Sequence, residues 1–240
     1  MTEYRLLKEF RRLFEGKEYR HRSSNLGDWV AMHLYEDLLE LNRDKNNKYA
    51  VSVINMTSVL NSANRRKGVE ARRGDGTFGE LIPGEQPQRD TGYEVARGPI
   101  ATVEIGVEVK ILQKAMIKQI DRVQNDLRHQ VTEFKVKAGS SKPICVGIVG
   151  INYAAYAVGH EGTRMFRTTG TSGYLHPIQE AEKTRARIRE VADYYDEFLV
   201  LQYRATNDPP YPFEWVSETE TRQLYGAALV RIRNEYQKRF

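Results

Sequence analysis

Residues 100–111, IATVEIGVEVKI, decide the fold class because polar and apolar side chains alternate along them. The odd positions carry the apolar side chains of Val103, Ile105, Val107, Val109 and Ile111. The even positions from 104 to 110 are Glu, Gly, Glu and Lys. Successive side chains of a strand point to opposite faces, so this pattern predicts a strand over 100–111 with one buried and one polar face.

The sequence on both sides of this strand has patterns of helices and further strands. Apolar residues recur at helical spacing from Leu112 to Val131, and residues 143–154 are almost continuously apolar, as in a fully buried strand. Residues 48–63 fit either a helix or a strand. We predict further helices at 3–15, 25–41, 178–195 and 216–240, extended segments at 69–73, 77–82 and 198–203, and loops at 83–99 and 159–176. This alternation predicts an α/β fold, a mixed β-sheet flanked by helices on both faces.

Composition limits the classes of protein that the chain can belong to. Its 240 residues include 37 Lys and Arg against 32 Asp and Glu, a formal net charge of +5. The single cysteine, Cys145, excludes a disulfide framework and a thiolate zinc site, and favours a reducing, cytoplasmic location. The sequence has neither a signal peptide nor an apolar stretch long enough for a membrane span, so we expect no membrane association.

We predict a single domain over residues 1–240. A helical N-terminal segment (1–25) precedes a core of about residues 26–205, and a C-terminal helix spans about residues 216–240. No Pro/Ser-rich linker and no internal repeat divides the chain.

The positive charges are clustered, which favours a polyanionic partner. One block directly precedes Asp75 and consists of Arg65, Arg66, Lys67, Arg72 and Arg73. Arg164 and Arg167 lie in the predicted 159–176 loop, where contact with DNA and an ordinary surface position are equal alternatives. We interpret the run at 183–189 as a solvated helix face.

The polar face of the 100–111 strand carries the candidate chemistry. Glu108 and Lys110 are two residues apart and therefore project from the same face. Asp75 stands between two glycines; if its segment pairs antiparallel with the strand, its carboxylate meets that of Glu108. Two converging carboxylates form a hard oxygen site suited to Mg²⁺, and a neighbouring lysine can orient the attacking water. Taken alone, Glu-x-Lys is more typical of a solvated strand face, and only its combination with the apolar opposite face, the basic block before Asp75, the following helix and the buried strand after it favours a catalytic site.

This arrangement resembles the PD-(D/E)XK nuclease superfamily, whose fold is called restriction-endonuclease-like. The resemblance is carried by Asp75, by the Glu108-Val109-Lys110 triplet at the end of an apolar strand, and by the helix that follows. It implies that Asp75 and Glu108 bind the divalent ion and that Lys110 is the catalytic lysine. The chain departs from the pattern in having Gly74 where the family has proline.

The resemblance implies auxiliary residues as well. Many members have an acid on the N-terminal helix, for which Glu36 is the best match, here as a further metal ligand. Others have a polar residue on the helix after the triplet, for which Lys118 and Gln119 are candidates.

The predicted function is hydrolysis of phosphodiester bonds, most readily of double-stranded DNA, with Mg²⁺ as cofactor and Mn²⁺ as a substitute. The resemblance also implies a role in restriction or phage defence and a homodimer or larger assembly. One alternative is a non-catalytic DNA-binding or assembly module with the same fold. Another is an enzyme that acts on small phosphorylated substrates.

Overall fold

Seven strands form one mixed sheet in the computed structural model, which describes residues 3–20, 25–43, 47–66, 75–137, 142–161, 163–171 and 173–240. The strands of the described residues are β1 (Ser58–Arg66), β2 (Gly76–Glu80), β3 (Arg97–Ile100), β4 (Ile105–Leu112), β5 (Ile144–Asn152), β6 (Val158–Glu161), β7 (Arg164–Arg167), β8 (Glu197–Ala205) and β9 (Phe213–Trp215). The order in the sheet is β3-β1-β2-β4-β5-β8-β9, and β6 and β7 form a separate antiparallel hairpin.

The central strands β4, β5 and β8 are parallel, whereas β2 is antiparallel to β4. The helices of the described residues are α1 (Arg5–Arg12), α2 (Asn25–Leu41), α3 (Lys48–Ile54), α4 (Met116–Lys137), α5 (Pro177–Arg189) and α6 (Glu218–Arg239). The crossover from β4 to β5 contains α4, and the crossover from β5 to β8 contains α5.

Helices cover both faces of the sheet. One core places α1, α2, α3 and α6 against the odd positions of β4 from Ile105 to Val109. The other core places α4 and α5 against β5 residues such as Cys145 and Val149. The predicted α/β architecture, a mixed sheet with helices on both faces, is confirmed at this level.

Three element predictions need correction. The strand predicted from Ile100 begins only at Ile105, since residues 101–104 form a bend between β3 and β4. In that bend, Glu104 accepts hydrogen bonds from the hydroxyls of Ser58 and Tyr236 and so leaves the polar strand face. The predicted 159–176 loop contains most of the β6–β7 hairpin, and β9 was not anticipated.

Gly79, in β2, marks a close approach of two backbone segments. A Cβ built on it would lie 1.9 Å from the carbonyl oxygen of Thr102. Because that oxygen belongs to the backbone, Gly79→Ala must displace the bend before β4, and we expect the free energy of unfolding to fall by about 2 kcal/mol.

Urea denaturation of Gly79→Ala measures this effect. Gly159→Ala is the matched control, because the three atoms nearest to the added methyl there all belong to the flexible Lys114 side chain, so the substitution should cost less. Equal stability of Gly79→Ala and the wild type would contradict the close approach.

His33, on α2, is buried beside aromatic rings. Its ring centroid lies 5.0 Å from that of Trp29 and 5.8 Å from that of Tyr93. Neither imidazole nitrogen has a hydrogen-bond partner among the described residues. The neutral imidazole therefore suits this position better than the cation.

Because His33 is buried as the neutral imidazole, we expect the stability of the fold to depend on pH. Burial lowers the pKa of His33 from 6.5 to about 4. The Glu9 carboxylate opposes this shift, whereas Arg5 and Arg12 reinforce it. Below pH 6.5 the unfolded chain binds a proton that the folded chain rejects, so stability falls as the pH drops towards 4. Thermal melts at a series of pH values should show that His33→Phe weakens the dependence of stability on pH. The control His129→Phe, at an exposed site, should leave it unchanged. The same change of melting temperature with pH in His33→Phe and the wild type would contradict this role of His33.

Candidate functional site

The antiparallel pairing of β2 with β4 brings Asp75 beside Glu108. Gly76 is opposite Val107 in this antiparallel pair, so Asp75, the residue before β2, lies next to Glu108, the residue after Val107. The Asp75 Oδ2 atom accepts a hydrogen bond of 2.7 Å from the backbone N–H of Val109. The pairing on which the convergence of the two carboxylates depended is confirmed.

Glu108 is a buried carboxylate with one cationic partner. Its side chain lies in the middle of β4 and the residue is 5% exposed. The Oε1 atom pairs with the Lys110 ammonium at 2.5 Å. The Oε2 atom is buried and has no hydrogen-bond partner among the described residues. A buried carboxylate oxygen without a donor is costly, so its position suits a cation.

We call Asp75, Glu108 and Lys110 the carboxylate cluster. Positive charge is in deficit there, because one ammonium group faces two carboxyl groups. Burial and then the Glu108 carboxylate raise the pKa of Asp75. Burial also raises the pKa of Glu108, an effect that the Lys110 ammonium and the nearby backbone N–H of Asp75 oppose. Burial lowers the pKa of Lys110, but Glu108 and Asp75 outweigh it and the net shift is upward. A buried carboxylate, Glu108, and a half-buried one, Asp75, thus share the positive charge of one ammonium group.

The first turn of α2 closes one side of the carboxylate cluster. A Cβ on Gly27 would lie 2.6 Å from the Asp75 carboxylate carbon, so the helix can approach only because this residue is glycine. Asp28, the next residue, raises the pKa of Asp75, and Asp126 on α4 raises that of Glu108. Sequence reasoning missed both of these outer acids; the position of Asp28 at the start of α2 was the only available signal.

Glu36 has other partners. Its carboxylate accepts hydrogen bonds from the backbone N–H groups of Glu94 and Val95, the latter at 2.9 Å, and lies 3.3 Å from the guanidinium of Arg5. These contacts anchor the segment before β3 to α2 and lend no support to the prediction that Glu36 is a metal ligand. Among the described residues, no group of three or more His, Cys, Asp or Glu side chains gathers at one point.

Lys118 and Gln119 lie at the start of α4. Gln119 donates hydrogen bonds to the carbonyl oxygens of Lys114 and Ala115. The opposite end of α4 covers the first half of β4, since a Cβ on Gly106 would touch the Phe134 ring at 2.7 Å. Lys118 and Gln119 instead line a cavity at the far end of β4.

The predicted nucleic-acid contacts are distributed over several places. Arg167 lines the same cavity as Lys118, and Arg164 is exposed at the start of β7. Arg65 and Arg66 are the last residues of β1. Lys67, Arg72 and Arg73 lie outside the described residues.

Comparison with known proteins adds no relative. The chain matches no protein-family model, and neither the curated proteins nor the solved structures give a match. In the described part of the chain, no helix is both long and apolar enough to cross a membrane.

Proposed function

We propose that the protein is a metal-dependent phosphodiesterase that hydrolyses the backbone of nucleic acid, with the carboxylate cluster as its catalytic centre. One observation carries the proposal: Glu108 is buried, holds Lys110 through one oxygen and leaves the other oxygen without a hydrogen-bond partner among the described residues. A strand face that was merely solvated would expose this carboxylate to water.

The residues of the carboxylate cluster fit a divalent ion. The available donors are carboxylate oxygens of Asp75 and Glu108, which Mg²⁺ and Mn²⁺ prefer to nitrogen or sulfur. With both acids ionised, two carboxylates and one ammonium leave one negative charge at the site. Burial is the main cause of the raised pKa of each acid, and repulsion by Glu108 adds to the rise at Asp75. A divalent cation would relieve this repulsion and satisfy Glu108 Oε2.

Each residue has a distinct role in the proposed reaction. Asp75 and Glu108 would hold the ion, which supplies Lewis-acid polarisation of the scissile phosphate. Lys110 has a raised pKa and stays protonated at neutral pH, so it donates hydrogen bonds rather than acting as a base. Its ammonium, fixed by Glu108, orients the attacking water and stabilises the negative charge that develops on the phosphate oxygens.

The resemblance to PD-(D/E)XK nucleases and the net charge of +5 support double-stranded DNA as the substrate. Restriction or phage defence, a cytoplasmic location and a homodimer belong to the same proposal.

The alternative of a non-catalytic module is favoured by one contact. Asp75 already accepts the Val109 N–H and therefore also has a structural role.

A cleavage assay tests the proposal. The purified protein is incubated with supercoiled plasmid, phage DNA, single-stranded DNA and RNA, with Mg²⁺, Mn²⁺ or EDTA. We expect nicking or linearisation with either ion and none with EDTA, because the carboxylate cluster needs the cation. If every substrate stays intact with both ions, the non-catalytic alternative replaces the proposal.

A further inference from the structure

A second site lies at the carboxyl ends of the parallel strands. Here a cavity of about 1120 Å³ opens between the end of β4, the start of α4, the β6–β7 hairpin and the 173–175 loop. In open α/β sheets this end of the strands is where ligands usually bind. We call this cavity the basic groove, after the cationic side chains of Arg20, Lys114, Lys118, Arg122 and Arg167 that line it.

The basic groove has an excess of positive charge. Its two carboxylates, Glu18 and Glu180, are both engaged. Glu18 pairs with Arg20 at 3.1 Å, and Glu180 accepts the N–H groups of Met116 and Ile117 at the start of α4. Lys118 and Arg122 project from the next turns of α4. Charge complementarity therefore points to a polyanion.

Exposed aromatic rings lie among these cations. All four residues of β7 are exposed; Phe166 is 39% exposed and Tyr174, in the adjoining loop, 56%. Both rings line the basic groove, and the Lys114 ammonium lies 6.0 Å from the Phe166 ring centroid. Arg167 stacks on Tyr156 at 4.1 Å. Exposed apolar side chains that cluster within a polar rim are a feature of interaction sites.

We propose that the basic groove binds a single-stranded segment of nucleic acid. Its phosphates contact Lys118 and Arg122, and its bases stack on Phe166 and Tyr174. Cations that follow a backbone, with aromatic rings between them, are the usual means of binding unpaired strands, since stacked duplex bases expose no ring face. The inference rests on the proposed function only in that the bound strand is an unpaired stretch of the DNA whose duplex part the carboxylate cluster cleaves.

Binding is measured in EDTA, so that cleavage plays no part. Fluorescence anisotropy compares a labelled oligothymidylate with a duplex of the same length at several salt concentrations. We expect the oligothymidylate to bind more tightly than the duplex. Phe166→Ala should weaken its binding about tenfold, the loss of one stacked base. Arg122→Ala should reduce the slope of log affinity against log salt by about 0.7, the loss of one phosphate contact.

The control variants keep the proposal falsifiable. Leu224→Ala removes an apolar side chain of similar exposure (48%) on α6, and Lys183→Ala removes an exposed cation on α5. Both should bind like the wild type. Tighter binding of the duplex, or unchanged binding in Phe166→Ala and Arg122→Ala, would overturn the inference. Such a failure would leave metal-dependent cleavage intact, and failure of cleavage would leave binding in EDTA intact.

Discussion

Glu108→Gln is expected to reduce the proposed metal-dependent cleavage about a thousandfold, since the substitution removes both a proposed metal ligand and the partner that fixes Lys110. Glutamine has nearly the same shape as glutamate but no negative charge. Its amide cannot hold Lys110 by charge and leaves Asp75 as the sole carboxylate of the cluster. Initial rates of plasmid nicking measure the effect, with Mg²⁺ concentration varied to separate loss of the ion from loss of the catalytic step.

Glu104→Gln is the matched control for this experiment. Glu104 is also buried and lies four residues earlier, but it accepts hydrogen bonds from Ser58 and Tyr236 and stays apart from the carboxylate cluster. Its substitution should lower stability without changing the Mg²⁺ dependence of cleavage. Glu108→Gln with a rate within a few-fold of the wild type would show that the catalytic carboxylates lie elsewhere.

Asp37→Ala is expected to lower the free energy of unfolding by about 4 kcal/mol, because three donors lose a charged acceptor together. The Asp37 carboxylate accepts the backbone N–H groups of Arg5 and Leu6 at 2.7 and 2.9 Å, which begin α1. It also accepts the hydroxyl of Tyr225, on α6, at 2.8 Å. A single side chain of α2 thus joins three helices of one core.

Asp37→Asn separates hydrogen bonding from packing. The asparagine keeps the size of the side chain and one acceptor oxygen, so its loss of stability should be smaller than that of Asp37→Ala. Urea denaturation followed by circular dichroism gives both values. If Asp37→Ala unfolds at the same urea concentration as the wild type, these three hydrogen bonds do not hold the helices together.

The centre of the fold could be predicted because its signals are local. Alternation along 103–111 identifies β4 and its two faces, and the extended segment predicted at 77–82 corresponds to β2. Parallel strands joined by helices then follow from the order of patterns. The neighbouring positions of Asp75 and Glu108 required only that β2 and β4 pair antiparallel, as they do.

Other features depend on tertiary contacts that no spacing rule reveals. Glu36 and Asp28 are both acids of α2, but only the packing of Gly27 against Asp75 shows which end of the helix meets the carboxylate cluster. The β6–β7 hairpin lies in a Gly- and Thr-rich segment typical of a loop. In this hairpin, residues 158–161 pair with residues 164–167. Alternation of buried and exposed side chains could not predict the pairing, because β7 is exposed along its whole length.

The sequence could not predict that Lys118 and Arg167 lie together in the basic groove. Lys118 is on α4 and Arg167 on β7, about fifty residues apart in sequence. The β5 strand and its crossover bring them to one end of the sheet. A cationic groove formed in this way has no signature in a single stretch of sequence.

Calorimetric titration with Mn²⁺ tests the central claim most directly, because it needs neither a substrate sequence nor an activator. The wild type and Glu104→Gln should each bind the ion at the carboxylate cluster, whereas Glu108→Gln should lose that binding. Loss of binding in an Asp75→Asn variant would identify the second ligand. Equal Mn²⁺ binding by Glu108→Gln and the wild type, or none by the wild type, would contradict a metal centre at Asp75 and Glu108.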